Sequence, residues 1–421
     1  MISRAERSSD SMWLALRIYN EAFWLPHREM KALCHAVCRC LVLANLLLGC
    51  ETSPAASSQT GGSKGEVAGS TAAGGSTGAS TSPSSNVAGS GGTTVSNTAT
   101  SASLSDRYSD DTSLATDPAV LFHDDFEQGW GRWDSPSQDT AQLFVETGTD
   151  IAHAGSRYLR STVTEAQLQS QQYISSSTKL TFARRVDTVY WRFYARFKGI
   201  SPPPHHWVRM VAGTESYSSS GLANTVPSGD QGFWFDFDAN IDDVFKFYVY
   251  WYKMRSGRCN DGTATPGCAG DQGTTYYYGN NFQPPNQVSF ARDTWFCVEI
   301  KATANAVGSS DGALAFSVNG QRVGDYRPGF PNGTWLRDNF FTDGCSFSAC
   351  TAPVPFEGFD FRASADVRFK GIFLDAYYER GSTAEKRAQL EAKGLTVSSE
   401  QTVYYDDVVV ASEPIGCGKF R

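Results

Sequence analysis

Four consecutive stretches between residues 190 and 252 alternate bulky apolar side chains with polar or aromatic ones: VYWRFYARFK, HWVRMVAG, GFWFDFDA and FKFYVYWYK. Strict period-two alternation sends every second side chain to the same side of a sheet. One set reads Trp191, Phe193, Phe197, Met210, Phe233, Phe235, Phe237, Phe245, Phe247, Val249 and Trp251, which predicts a core. The other reads Arg192, Tyr194, Arg196, Arg209, Trp234, Asp236, Asp238, Lys246, Tyr248, Tyr250 and Tyr252. The pattern predicts that this second set lines one accessible trough.

The same β-rich character extends from about residue 117 towards the carboxyl end. AVLFHDDFE opens it, and WFCVEIKATA, ALAFSVNG, QRVGDY, FKGIFLDAYY and TVYYDDVVVAS continue it. Asn319-Gly320 between two alternating runs is a strong hairpin signal. One short helix is expected, capped by Ser382 with Glu385 and running through AEKRAQLEAK to a stop at Gly394. Many strands without βαβ alternation predict an all-β fold of two stacked antiparallel sheets.

Composition removes the first part of the chain from that fold. Residues 51–116 are the expected linker. As far as residue 105 they are almost wholly Ser, Gly, Thr and Ala, which bury too little apolar surface to offset chain entropy. Ahead of them, MKALCHAVCRCLVLANLLLGC (30–50) has a basic start and an apolar stretch too short to span a membrane. Its Leu47-Leu48-Gly49-Cys50 ending resembles the lipobox of bacterial lipoproteins. That resemblance implies an exported protein lipidated at Cys50, with residues 1–50 as leader and Met30 as the true start. Glu51 rather than Asp after Cys50 points to the outer membrane or cell surface.

Ten cysteines then divide into four in the leader and six beyond it. Export favours disulfides among Cys259, Cys268, Cys297, Cys345, Cys350 and Cys417. Loop lengths favour Cys259–Cys268 and Cys345–Cys350, which leaves Cys297 with Cys417. Zinc finds no CxxC spacing or histidine cluster here. A net charge of −8 argues against nucleic acid as a partner.

A sheet face of Arg, Tyr, Trp and Asp is suited to carbohydrate, because aromatic rings stack on sugars while charged and amide groups bond hydroxyls. The order of runs resembles the concanavalin A-like jelly roll of laminarinase-type glucanases, alginate and glucuronan lyases and legume-lectin-like modules. DDFE at the start, YYDDVVVAS at the end and DTWFCVEIKATANAVGSSDGALAFSVNGQRV between them carry that resemblance over about residues 117–417. It implies a jelly-roll sandwich over 117–421.

For glucanase chemistry the resemblance requires an E-x-D-x-E strand. Asp236 and Asn240 stand where its two glutamates would, and asparagine cannot shuttle a proton. Lyase chemistry requires a carboxylate-neutralising cation, a base and an acid. Arg209 falls where alginate-lyase relatives carry a lysine, and Tyr248-Val249-Tyr250 matches their Tyr-x-Tyr pair, although their Ser-x-Arg is absent. The expected catalytic group is Tyr248, Tyr250, Arg209 and His206, with Arg192, Tyr194, Arg196, Trp234, Asp236, Asp238 and Tyr252 binding an acidic polysaccharide. Non-catalytic sugar binding needs only Trp234, Tyr248, Tyr250, Asp236 and Arg209, and a structural or adhesive lipoprotein is a third class. A purely structural reading pairs Arg196 and Arg209 with Asp236 and Asp238 across strands and packs the tyrosines under the loop 259–278. No cofactor is required. Asp124, Asp125, Glu127, Asp406 and Asp407 are suited to a structural Ca²⁺, with Glu127 and Asp407 its favoured ligands.

Overall fold

The computed structural model describes residues 102–136, 142–219, 222–274, 276–285, 287–342 and 344–418. The expected leader, Cys50 and the linker as far as residue 101 lie outside these residues.

Two sheets form a jelly-roll sandwich. The first contains β1 (Val120–Asp124), β3 (Leu143–Thr147), β4 (Arg157–Thr164), β6 (Thr188–Phe197), β11 (Phe296–Thr303), β12 (Ala313–Val318), β13 (Gln321–Tyr326) and β18 (Glu400–Ala411). Its order is β13-β12-β11-β6-β18-β4-β3, with β1 also pairing β18. The second contains β2 (Ser135–Pro136), β5 (Tyr173–Val186), β7 (Val208–Gly213), β8 (Gly232–Ala239) and β9 (Phe245–Tyr250). It continues with β10 (Asn280–Gln283), β14 (Asn332–Leu336), β15 (Asn339–Thr342), β16 (Val354–Pro355) and β17 (Arg368–Glu379). Its order is β16-β14-β15-β10-β9-β8-β7-β17-β5-β2. Among the described residues the ladders are antiparallel except for the parallel pair β10–β15.

All eleven residues of the predicted apolar set lie in the main core, none more than 5% exposed. Burial of each large apolar side chain contributes roughly 1.5–3 kcal/mol. Trp207 joins the layers: its Nε1 donates to Tyr405 Oη on β18 at 2.7 Å, and that hydroxyl donates to the Asp375 carbonyl at 3.2 Å. A buried indole N–H is costly to leave unpaired, so this chain fixes one sheet against the other.

Three expectations change. The first of the four alternating runs, β6, pairs with β11 and β18 in the first sheet, whereas β7, β8 and β9 belong to the second. Alternation specifies the face of a strand, not the sheet it joins. Residues 102–116, expected as linker, include the short helices Leu104–Arg107 and Asp111–Leu114. Leu104 and Leu114 are buried against Val409, Ala411 and Ile415, and Asp111 reaches the buried Arg192 Nη2 at 2.5 Å. The long helix spans Arg380–Ala392, and its cap is Glu379, which accepts from Gly381 N and Ser382 N, rather than Ser382.

The hairpin at Asn319-Gly320 forms between β12 and β13, both residues at positive φ. Cys259–Cys268, Cys297–Cys417 and Cys345–Cys350 are bonded, matching the expected pairing.

Candidate functional site

The outward side chains of β7, β8, β9 and β17 share one face of the second sheet. Arg209 and Asp236 are register partners, and so are Asp236 with Tyr248 and Trp234 with Tyr250. Arg209 Nε and Nη2 donate to Asp236 Oδ1 and Oδ2 at 2.6 and 3.0 Å. Its guanidinium also lies 3.9 Å from the Trp234 ring centre, a cation–π contact that adds to the pairing. The structural expectation of an Arg–Asp ladder therefore holds for Arg209.

His206 enters from the loop before β7. Its backbone pairs with Tyr377 on β17, where Tyr377 N donates to His206 O at 2.9 Å. Nδ1 lies 3.3 Å from Asp238 Oδ2 and 3.5 Å from Asp236 Oδ2. The other Asp238 oxygen accepts from Trp207 N at 2.9 Å. The ring sits between Tyr248, 4.6 Å away, and Tyr377, 5.9 Å away. His205 points elsewhere, with Nδ1 3.1 Å from Ser382 Oγ. Burial beside His206 lowers its pKa to about 4, which keeps it neutral.

Burial sets the other charges. Asp236 is pushed up by burial, and Arg209 counters this in part. Burial also opposes ionisation of Asp238, but His206 and Lys246 prevail and hold it below the usual range. Asp375, two residues along β17 from the register partner of Arg209, is pushed up by burial to about 6. Burial lowers Lys246, whose Nζ donates to Asn281 Oδ1 at 2.5 Å. Tyr248 is raised by burial, and Tyr250 is pushed up to about 12.

The face is only partly open. Trp234, Asp236, Asp238 and Tyr250 are at most 5% exposed. Gly279, at the end of the 259–278 loop, packs directly against the Tyr248 ring, where a Cβ would collide with it. Tyr217 folds over Gly213 and Gly232, which oppose each other in register; a Cβ on either would collide with its ring. Lys370 Nζ secures that loop by donating to the carbonyls of Thr214, Glu215 and Tyr217 at 2.9, 2.6 and 3.2 Å. Openness increases towards β17 and β5, where Tyr377 is half-buried and Ser175 and Tyr173 are exposed. Tyr173 and Tyr377 are near-parallel, with ring centres 6.1 Å apart.

The single trough predicted from sequence is thus split. Arg192, Tyr194 and Arg196 lie on the first sheet. Arg192 is fully buried against Asp111, Tyr194 stacks on His153 at 3.7 Å, and Arg196 lies over Tyr404. Tyr252, beyond the end of β9, packs at Gly229 and Ala363 beside Lys253 and Asp360. Sequence reasoning missed Tyr173, Asp375 and Tyr377. The signal for Asp375 and Tyr377 was the alternation Phe373, Asp375, Tyr377 within FKGIFLDAYY, which carries the same outward pattern as β7–β9.

The carboxylates expected to hold Ca²⁺ already have protein partners. Glu127 accepts from Ser156 N, Ser156 Oγ and Arg157 N at 2.6, 2.8 and 2.6 Å. Asp407 Oδ2 lies 2.5 Å from His153 Nδ1, and Asp406 accepts from His153 N. Asp124 accepts from Phe126 N and Trp133 Nε1. Glu127, Asp125 and Asp407 border a cavity of about 730 Å³ closed on one side by residues 105–114.

No family model and no curated protein matches the chain. Solved structures that it resembles include an endo-β-1,4-glucuronan lyase from the fungus Trichoderma reesei, at a TM-score of 0.41 and 12% identity over 71% of this chain and 100% of that one. An alginate lyase from Chlorella virus gives 0.39 and 11% over 69% and 99%. One from Aplysia kurodai gives 0.38 and 15% over 63% and 86%. Likeness at this level transfers no residue role to this chain.

Proposed function

We propose that this protein engages an acidic polysaccharide on the outer face of its ten-stranded sheet and cleaves it by β-elimination. The supporting observation is the run of rings Tyr173, Tyr377, His206 and Tyr248, which crosses three strands and the loop before β7 at centre spacings of 6.1, 5.9 and 4.6 Å. Rings in such a row offer stacking surfaces to successive sugars, with the Ser175 hydroxyl beside them. Elimination from a uronic acid requires a proton acceptor for C5 and a donor for the leaving oxygen. His206 and Tyr248, in ring contact and partly exposed, take these roles, while Tyr250 and Trp234 support them from beneath.

A second reading, sugar binding without turnover, is favoured by the Arg209–Asp236 pair. That pair neutralises the cation expected to meet the substrate carboxylate. Incubation with alginate and glucuronan, followed by ultraviolet absorbance of the unsaturated product, separates the two. Product that disappears in Tyr248→Phe supports the lyase. Retention on immobilised polyuronate without product supports the binding module, and neither result leaves the structural class. We further propose export and lipid anchoring at Cys50 with translation from Met30. Intact mass of the membrane-extracted protein tests this, because any residue before Cys50 refutes it.

A further inference from the structure

We infer that His206, Asp236 and Asp238 form a binding site for a divalent first-row metal ion, with Nδ1 and one oxygen of each carboxylate as ligands. Among the described residues this trio has donor atoms that all lie within 4.8 Å of one another. The contacts from Nδ1 to the two Oδ2 atoms, 3.3 and 3.5 Å, exceed the usual hydrogen-bond range of about 2.7–3.2 Å. The first is a long hydrogen bond, and both spacings also match those between two ligands of one ion. Ligands bonded at about 2.0–2.1 Å in a tetrahedron stand about 3.3 Å apart.

The surrounding bonds orient each carboxylate for that role. Trp207 N holds Asp238 Oδ1 and Arg209 Nε holds Asp236 Oδ1, at 2.9 and 2.6 Å. Arg209 Nη2 also donates to Asp236 Oδ2 at 3.0 Å, and a carboxylate oxygen has a second lone pair available for an ion. Outer partners of this kind are what fix metal-binding carboxylates in place. Asp236 and Asp238 are at most 3% exposed, whereas the His206 side chain keeps 17%, so the approach is along the histidine. One nitrogen and two carboxylate oxygens without a thiolate suit Zn²⁺ or Mn²⁺. Three protein ligands leave a position open to water or to a ligand oxygen. On the polysaccharide reading, that position would receive the uronate carboxylate whose charge Arg209 cannot meet. With Nδ1 engaged by the ion, the proton-transfer role proposed above for His206 would pass to Tyr248.

The test measures metal directly. Full-length protein stripped with a chelator is dialysed and titrated with Zn²⁺, then with Co²⁺ as a visible-absorbing probe. The expected result is one ion per chain, with affinity lowered at least tenfold in both His206→Ala and Asp238→Asn and unchanged in Glu127→Gln. Circular dichroism confirms that each variant is folded, and His206→Gln replaces His206→Ala if that variant is not. Absence of stoichiometric binding by the wild type, or wild-type affinity in either the His206 or the Asp238 variant, overturns the site. Metal binding without any polysaccharide binding upholds this inference and refutes the polysaccharide reading; the reverse result does the opposite.

Discussion

Arg209 and Asp236 face each other across β7 and β8 and close a two-point ion pair at 2.6 and 3.0 Å. Asp236 is fully buried, so loss of its partner strands a carboxylate out of reach of water. Arg209→Met is expected to lower the unfolding free energy by about 3–5 kcal/mol. Adding Asp236→Asn should recover part of that loss, because the stranded charge is then gone. Denaturant titration of the three proteins checks this, and equal losses in the single and double variants would refute it.

The Asp111–Arg192 pair tests the amino-terminal segment. Arg192 has a side-chain exposure of 1% and Asp111 of 22%. Asp111→Ala should therefore cost about 2 kcal/mol, less than a fully enclosed pair because water reaches one side. Limited proteolysis between residues 102 and 116 should become faster in the variant. An unchanged cleavage rate would show that the segment is held without this pair.

Lys386 carries a pH signature. Its Nζ donates to the carbonyls of Pro203 and Pro204 at 3.3 and 2.7 Å, and burial lowers its pKa to about 8. Between that value and the ordinary lysine value of about 10.4 the unfolded chain holds the proton more tightly, so stability rises with pH across this window. The gain should be about 2 kcal/mol after allowing for partial solvent screening. The stability difference between wild type and Lys386→Met, followed from pH 7 to 11, reads this contribution. A flat difference would refute it.

The three disulfides should differ in effect. Cys297–Cys417 spans 120 residues and Cys345–Cys350 spans five. Loop-closure entropy assigns about 5 kcal/mol to the first and about 2 kcal/mol to the second. Paired Cys→Ala variants unfolded in denaturant measure both values, and the ranking should hold even where strain changes the absolute figures.

Much of this architecture was legible in the sequence. Phe233, Phe235 and Phe237 point inward because period-two alternation is a geometric property of any strand. Asn319-Gly320 turns where its positive φ values require. The sheet that each strand joins was not legible. The segment between Phe197 and Val208 crosses from one layer to the other, and so separates Arg192 and Arg196 from Arg209 despite identical local patterning. Burial was equally hidden, since Gly279, which packs against the Tyr248 ring, comes from beyond the 259–278 loop. Tyr377 was missed because its strand lies more than a hundred residues beyond the runs that drew attention.

Gly213 and Gly232 give the outer face its aperture through what they lack. Two adjoining outward positions without side chains make a recess, and the Tyr217 ring fills it like a lid seated on a ledge. The shape of the outer face is thereby tied to a pair of hydrogens. A variant with alanine at either position would have to lift the flap, which on the proposed reading would lengthen the channel open to a polysaccharide.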